Sequence, residues 1–171
     1  MCDFMFYVNS TDGVKIAVYD YNCGGTETVL LVHGWPLSHK IYEYQIPILV
    51  RMGYRVVALD LRGFGMSDVP GCGYSYDQMA ADIHQVVKRL RLWSFTLVGF
   101  SMGGAISLRY MRLFRGYEEK EKNRGILDYV AAGWNRDGLA LRAAGHLAGQ
   151  SSCEKRLLLS LIHIFSDTVW V

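Results

Sequence analysis

The chain has 171 residues, of which 51% are hydrophobic and 20% charged, enough for one domain with a buried core. Its formal net charge of +2 argues against a nucleic-acid partner, because such surfaces usually need a concentrated basic face. The sequence shows neither a signal peptide nor an apolar run of the roughly 18 residues that span a membrane. These features predict a cytoplasmic globular protein with no nucleic-acid or membrane partner.

The cysteines show no pattern that would indicate a metal site. Four of them are scattered along the chain, without a C-x-x-C pair and without a histidine at ligand spacing: Cys2, Cys23, Cys72 and Cys153. We therefore expect free thiols in a reducing compartment and no bound metal.

Two β-rich segments open the chain, at residues 4–8 and 14–19. The tripeptide Thr11-Asp12-Gly13 lies between them, and Asp-Gly is a favoured hairpin turn. The pattern predicts an antiparallel pair at the edge of a sheet.

Three apolar runs follow, at residues 28–32, 55–60 and 95–98. Unbroken apolar runs are typical of strands that are buried on both faces of a sheet. Each run is followed by a helical pattern. Such alternation of strand and helix predicts an α/β protein with a parallel sheet.

The helical patterns begin at residues that can cap a helix. Ser38 can cap a helix that runs over residues 39–52 with a kink at Pro47. Either Ser75 or Asp77 can cap the next helix. Its buried face is predicted to carry Met79, Ile83, Val86, Val87 and Leu90, at spacings of three and four. A last helix is predicted over residues 102–115.

The stretch around Ser101 joins a predicted strand to a predicted helix through a sharp turn. Gly99-x-Ser101-x-Gly103 at this place fits a nucleophile elbow, which lifts a serine hydroxyl above the end of a sheet. Glycines suit the turn because they tolerate strained dihedrals and close backbone approach. The pattern predicts a catalytic nucleophile, and the alternative is a serine that only caps the helix.

Three motifs in this order and spacing resemble the α/β-hydrolase superfamily. They are His33-Gly34-Trp35-Pro36, Asp60-x-Arg62-Gly63-x-Gly65-x-Ser67 and Gly99-Phe100-Ser101-Met102-Gly103-Gly104. The residues of the first and third motifs are similar to those of cofactor-free arylesterases, also called perhydrolases or non-haem haloperoxidases. The resemblance implies an α/β-hydrolase fold, here incomplete, with a mostly parallel sheet and an N-terminal antiparallel hairpin.

The resemblance also implies roles for individual residues. Ser101 would be the nucleophile, and the backbone N–H groups of Trp35 and Met102 would form the oxyanion hole. The substrate would be a small-molecule carboxylic ester, and no cofactor would be needed. The substrate pocket is predicted to include His33, Gly34, Phe64 and Phe100.

Other polar residues near these motifs have structural interpretations. His33 is expected to hold its turn by hydrogen bonds rather than act as an acid or base. Asp60 and Arg62 are expected to pair with each other and stabilise their loop. His39 and His84 are expected to be solvated.

The C-terminal part departs from this pattern. A serine needs a base and an orienting carboxylate, which follow it in the order acid, then histidine. A charge run at residues 118–124 stands where the resemblance implies a strand. The remaining candidates for the acid are Asp128 and Asp137, neither of which ends a convincing buried strand. The candidates for the base are His146, in an Ala/Leu-rich helical pattern, and His163, inside an apolar block.

We therefore expect two parts, the N-terminal part of a hydrolase domain at 1–117 and an unrelated segment at 118–171, through frameshift or truncation. One hypothesis is a serine hydrolase impaired by loss of its acid and base. The other is a non-catalytic fragment that is inert, or that binds a second copy through the open sheet edge at residues 95–98. A dinucleotide-binding protein is disfavoured because no G-x-G-x-x-G follows the first parallel strand.

Overall fold

A computed structural model describes residues 3–114 as one mixed sheet with helices on both faces. The strands are β1 (Asp3–Asn9), β2 (Lys15–Tyr21), β3 (Thr28–Val32), β4 (Arg55–Leu59) and β5 (Thr96–Gly99). The helices are α1 (Gln45–Arg51), α2 (Tyr76–Leu90) and α3 (Met102–Phe114), and a short 3₁₀ turn covers His39–Tyr42.

The strand order is β1-β2-β4-β3-β5. Strands β4, β3 and β5 run parallel, whereas β1 and β2 form an antiparallel hairpin that pairs antiparallel with β4. Val32 lies opposite both Leu59 and Gly99. The three parallel strands therefore end level with one another, and the loops that follow them meet at one edge of the sheet. This architecture confirms the predicted α/β fold class.

Alternate side chains of the central strands pack on opposite faces of the sheet. Leu30 and Val57 contribute to a core with α2 and α3. Leu31 and Ala58 contribute to a smaller core with the 3₁₀ turn and α1. This two-residue period, with both faces covered, explains why the strands appear in the sequence as unbroken apolar runs.

The N-terminal hairpin is confirmed. Gly13 has a φ of 84°, a conformation that glycine adopts at little cost, and the Ser10 amide donates to the Val14 carbonyl at 2.8 Å. Strand β1 lies at the edge of the sheet, as expected.

Helix α2 resolves the choice between two capping residues. The Ser75 hydroxyl accepts from the Gln78 amide at 3.2 Å, and Asp77 lies within the first turn. The predicted apolar residues form the buried face, with Leu90 only partly buried.

The single kinked helix predicted over residues 39–52 is wrong. Ser38 caps the 3₁₀ turn, and α1 begins separately at Gln45. Pro47 lies in the first turn of α1, where no helical partner for its missing N–H is required. The interruption allows buried Tyr42 to reach β3, where its hydroxyl donates to the Val32 carbonyl at 2.8 Å.

Within residues 3–114, no helix has the length and apolar character needed to cross a membrane. The predicted boundary at residue 117 and the charge run at 118–124 lie outside the described residues. Asp128, Asp137, His146 and His163 lie outside them as well. The expectations for this segment therefore stay predictions.

Candidate active site

Ser101 lies in a tight turn between β5 and α3. Its φ is 52°, in the left-handed region that glycine favours. The Gly103 amide donates to the Phe100 carbonyl at 2.8 Å, and the Gly104 amide donates to the Ser101 carbonyl at 2.9 Å. A non-glycine residue held in this conformation costs roughly 1–3 kcal/mol, and such strain is typical of functional turns. The turn has the strand–serine–helix form of a nucleophile elbow.

Two glycines allow the elbow to pack tightly. A Cβ on Gly99 would lie 2.6 Å from the Gly103 carbonyl oxygen. A Cβ on Gly103 would lie 2.3 Å from the carbonyl oxygens of both Val32 and His33. The start of α3 therefore rests directly on the end of β3, and a larger residue at either position would displace Ser101.

The loop after β3 packs against the nucleophile. A Cβ on Gly34 would lie 2.8 Å from the Phe100 carbonyl oxygen and 2.9 Å from Ser101 Cβ. The next peptide carries the N–H of Trp35, whose side chain is 67% exposed. Within residues 3–114, neither the Trp35 amide nor the Met102 amide donates a hydrogen bond. Their role as an oxyanion hole stays a prediction.

His33 holds the two neighbouring loops together, as its predicted structural role requires. Its side chain is 0% exposed, its Nε2 accepts from the Leu61 amide at 2.9 Å, and its Nδ1 lies 2.8 Å from the Gly34 carbonyl oxygen. These partners assign the neutral tautomer with the proton on Nδ1. Burial lowers the pKa of His33. With no exposed surface, His33 supports the loop, and its predicted place in the substrate pocket stays a prediction.

The other predicted pocket residues surround the same edge of the sheet. Gly34 is buried, whereas Phe64 and Phe100 are partly buried. The ring of Phe64 meets His33 edge-on, with centroids 5.7 Å apart. Met66 is 59% exposed on the neighbouring loop and adds apolar surface. The contacts of these residues with a substrate stay a prediction.

The expected pairing of Asp60 with Arg62 is wrong. Asp60 instead accepts four hydrogen bonds, from the His39 amide at 2.7 Å, His39 Nδ1 at 2.9 Å, the Met66 amide at 2.9 Å and the Tyr19 hydroxyl at 3.0 Å. Burial alone would raise the pKa of Asp60, but the hydrogen bonds of the His39 and Met66 amides hold it below its ordinary value. Asp60 bonds to His39 and Tyr19, whereas Arg62 bonds to other carboxylates.

His39 is not solvated, contrary to expectation. Its side chain is only 13% exposed, and its ring stacks on Tyr19 with centroids 3.5 Å apart. No pattern in the sequence marks this contact, because Tyr19 lies on β2 and His39 begins the 3₁₀ turn. The stacking of His39 on Tyr19 is thus a contact behind the site that the sequence did not reveal.

Arg62 is fully buried and holds the N-terminal hairpin to α2. Its Nε and Nη2 donate to the two carboxylate oxygens of Asp82 at 2.6 and 2.7 Å. Its Nη1 donates to Asp12 in the hairpin turn at 2.8 Å. Burial alone would lower the pKa of Arg62, but the Asp82 and Asp12 carboxylates raise it. The planar guanidinium group donates two hydrogen bonds to one carboxylate, an arrangement that a lysine ammonium group does not reproduce.

No hydrogen bond joins Ser101 to any of the three histidines within residues 3–114. His33 and His39 are engaged as described above. His84 is also not solvated, since its ring stacks on Phe114 between α2 and α3 with centroids 4.2 Å apart. In the described part of the chain, the three histidine rings are therefore engaged with groups other than Ser101.

The described fold is that of a known protein family. A family model described as alpha/beta hydrolase fold matches residues 27–122, more than half of the chain. The chain belongs to the α/β-hydrolase family.

Individual relatives refine this assignment. The AB hydrolase superfamily protein YisY of Bacillus subtilis is 44% identical over 110 residues, which cover 64% of this chain and 40% of that protein. A putative non-heme chloroperoxidase of Synechocystis is 39% identical over 115 residues, covering 67% and 41%. The esterase EaEST of Exiguobacterium antarcticum matches with a TM-score of 0.62 and 42% identity, covering 65% and 41%. The chain thus spans about two fifths of the length of these relatives. The predicted resemblance to the haloperoxidase group is confirmed.

Proposed function

We propose that this chain carries the nucleophile and oxyanion hole of a serine hydrolase that acts on small carboxylic esters. The observation that carries the proposal is the juxtaposition at Ser101. A serine with a φ of 52° stands at the start of α3, and the backbone of Gly34 packs against its Cβ. The names of two relatives, an esterase and a putative non-heme chloroperoxidase, agree with this class of chemistry.

In the proposed reaction, Ser101 Oγ attacks the ester carbonyl carbon and gives up its proton to a base. The carbonyl oxygen becomes an oxyanion that accepts hydrogen bonds from the Trp35 and Met102 amides. The C–O bond to the alcohol then breaks, the alcohol leaves with a proton, and water later hydrolyses the acyl-serine. Loss of one oxyanion donor typically lowers the rate by about 100- to 1,000-fold. The positive end of α3 adds to the same stabilisation.

The acid and the base are proposed to come from outside residues 3–114. Candidates for the base are His146 and His163, and candidates for the acid are Asp128 and Asp137. If none of them reaches Ser101, turnover is impaired and the nucleophile is left without activation.

The test is labelling of the full 171-residue chain with a fluorophosphonate probe, alongside hydrolysis of 4-nitrophenyl acetate. We expect labelling of the natural chain and of Ser94→Ala, a matched change at an exposed serine before β5. Ser101→Ala should not be labelled. Absence of labelling, with ester hydrolysis unchanged by Ser101→Ala, would reject the enzyme hypothesis. In a labelled chain, His146→Ala and His163→Ala identify the base.

The second candidate is a non-catalytic protein that binds through the edge of its sheet. Two observations favour it. Within the described residues no histidine is hydrogen-bonded to Ser101, and within them β5 pairs only with β3. The partner of such an edge would be a second copy of this chain.

A further inference from the structure

The carboxylate of Asp60 joins the loops that follow β3 and β4. Its Oδ1 accepts from both the amide and the Nδ1 of His39, at 2.7 and 2.9 Å. Its Oδ2 accepts from the Met66 amide at 2.9 Å and from the Tyr19 hydroxyl at 3.0 Å. Asp60 is 0% exposed, and a buried carboxylate is stable only when its oxygens are satisfied in this way.

The loop that carries the Trp35 amide is held at both ends. At its start, His33 accepts from the Leu61 amide at 2.9 Å. At its end, His39 is bonded through backbone and ring to one oxygen of Asp60. Only residues 36–38 lie between Trp35 and His39. A displacement of His39 is therefore expected to reach the Trp35 amide, which is the predicted oxyanion donor.

We propose that His39 is a positioning residue for the oxyanion hole. Its Nδ1–H bond to Asp60 holds the Trp35 amide at the correct distance from Ser101, although the His39 ring stacks on Tyr19 and contacts no substrate. The bond is charge-assisted, because Asp60 is ionised and buried. This inference rests on the proposed function, since it concerns the amide that would stabilise the oxyanion.

Two matched variants of the full chain separate positioning from general support of the fold. His39→Phe keeps an aromatic ring against Tyr19 but removes the Nδ1–H donor. Tyr19→Phe keeps the same stacking and removes a different donor to the same carboxylate. Of these two residues, His39 ends the loop that carries Trp35, whereas Tyr19 lies on β2.

The measurement is the inactivation rate constant and the binding constant of the fluorophosphonate probe at Ser101. We expect His39→Phe to lower the rate constant about tenfold with little change in binding, because small misplacements of catalytic groups are costly. Tyr19→Phe should leave the rate constant unchanged. His39→Asn should recover most of it, since the Asn Nδ2 stands close to the place of Nδ1. Equal losses in His39→Phe and Tyr19→Phe, or no recovery in His39→Asn, would overturn the proposal.

Hydrogen exchange gives a second measurement that does not depend on reactivity. The amides of Leu37, which donates to the Gly34 carbonyl at 2.9 Å, and of Ser38 should exchange faster in His39→Phe than in the natural chain, and not in Tyr19→Phe. If the natural chain is not labelled and Ser101→Ala leaves ester hydrolysis unchanged, the proposed function fails, and exchange alone decides whether His39 holds the loop. Unchanged exchange in His39→Phe overturns the positioning role. Should His39→Phe not fold, His39→Leu takes its place.

Discussion

Ser101 holds a backbone conformation that glycine adopts more readily than any other residue. Its φ of 52° brings the Cβ close to the following carbonyl oxygen. Ser101→Gly should therefore be more stable than Ser101→Ala by about 1–2 kcal/mol. Urea unfolding of the two variants measures the difference, and both should lose fluorophosphonate labelling. An alanine variant as stable as the glycine variant would show that the turn is not strained.

His33 makes stability depend on pH in a defined direction. Burial lowers its pKa below the ordinary value of 6.5, so the folded chain holds it neutral while the unfolded chain protonates it first. The contribution of neutral His33 to the free energy of unfolding is therefore complete above about pH 6.5, and it is lost as the pH falls below that value.

The free energy of unfolding should accordingly be lower at about pH 5 than at about pH 7.5, as measured by urea unfolding. His33→Gln keeps a donor and an acceptor but does not titrate, so its stability should fall less over the same range. An identical fall in both proteins would assign the effect to other groups.

At the scale of elements, Arg62 connects the N-terminal hairpin, the loop after β4 and helix α2. Arg62→Met leaves the fully buried Asp82 carboxylate without its counter-charge. Loss of one partner of a buried ion pair typically costs about 3–5 kcal/mol, and we expect a destabilisation of this size in urea unfolding.

Two controls test the reason for that loss. Arg109→Met removes the exposed ion pair between α3 and α2 and should cost much less, because solvent screens such pairs. The double variant Arg62→Met with Asp82→Leu removes both buried charges and should recover part of the loss. A double variant less stable than Arg62→Met would contradict this explanation.

The secondary structure elements could be predicted closely, because their signals are local. The apolar run at β3 has the bounds that the structure shows, and Ser75 begins α2 as one of the two predicted caps. The helix predicted over residues 39–52 failed for a tertiary reason. Tyr42 turns inward to reach the Val32 carbonyl, and the local pattern of apolar residues cannot show this competition.

At the scale of the whole molecule, the sheet has two edge strands within the described residues, β1 and β5. An unpaired, largely apolar strand edge favours pairing with another chain. We expect the weight-average mass, measured by light scattering, to rise with protein concentration.

Thr96→Lys on β5 should suppress this self-association, because a lysine on an edge strand opposes strand pairing. Phe4→Lys places the same residue on β1 at the opposite edge and should have less effect. A chain that stays monomeric at all concentrations, or one that responds only to Phe4→Lys, would contradict association through β5.

The sequence by itself determined the family, the succession of strands and helices along the chain, and the position of Ser101 between β5 and α3. These depend on local patterns, namely apolar periodicity, glycines at a close-packed turn and capping residues. Only the tertiary structure decided which polar side chains pair. Asp60 bonds to His39 and Tyr19, and Arg62 bonds to Asp82 and Asp12, because buried charges take the partners that the packed elements bring near. The level ends of β3, β4 and β5 likewise bring Gly34 against Ser101, across a separation that no local pattern spans.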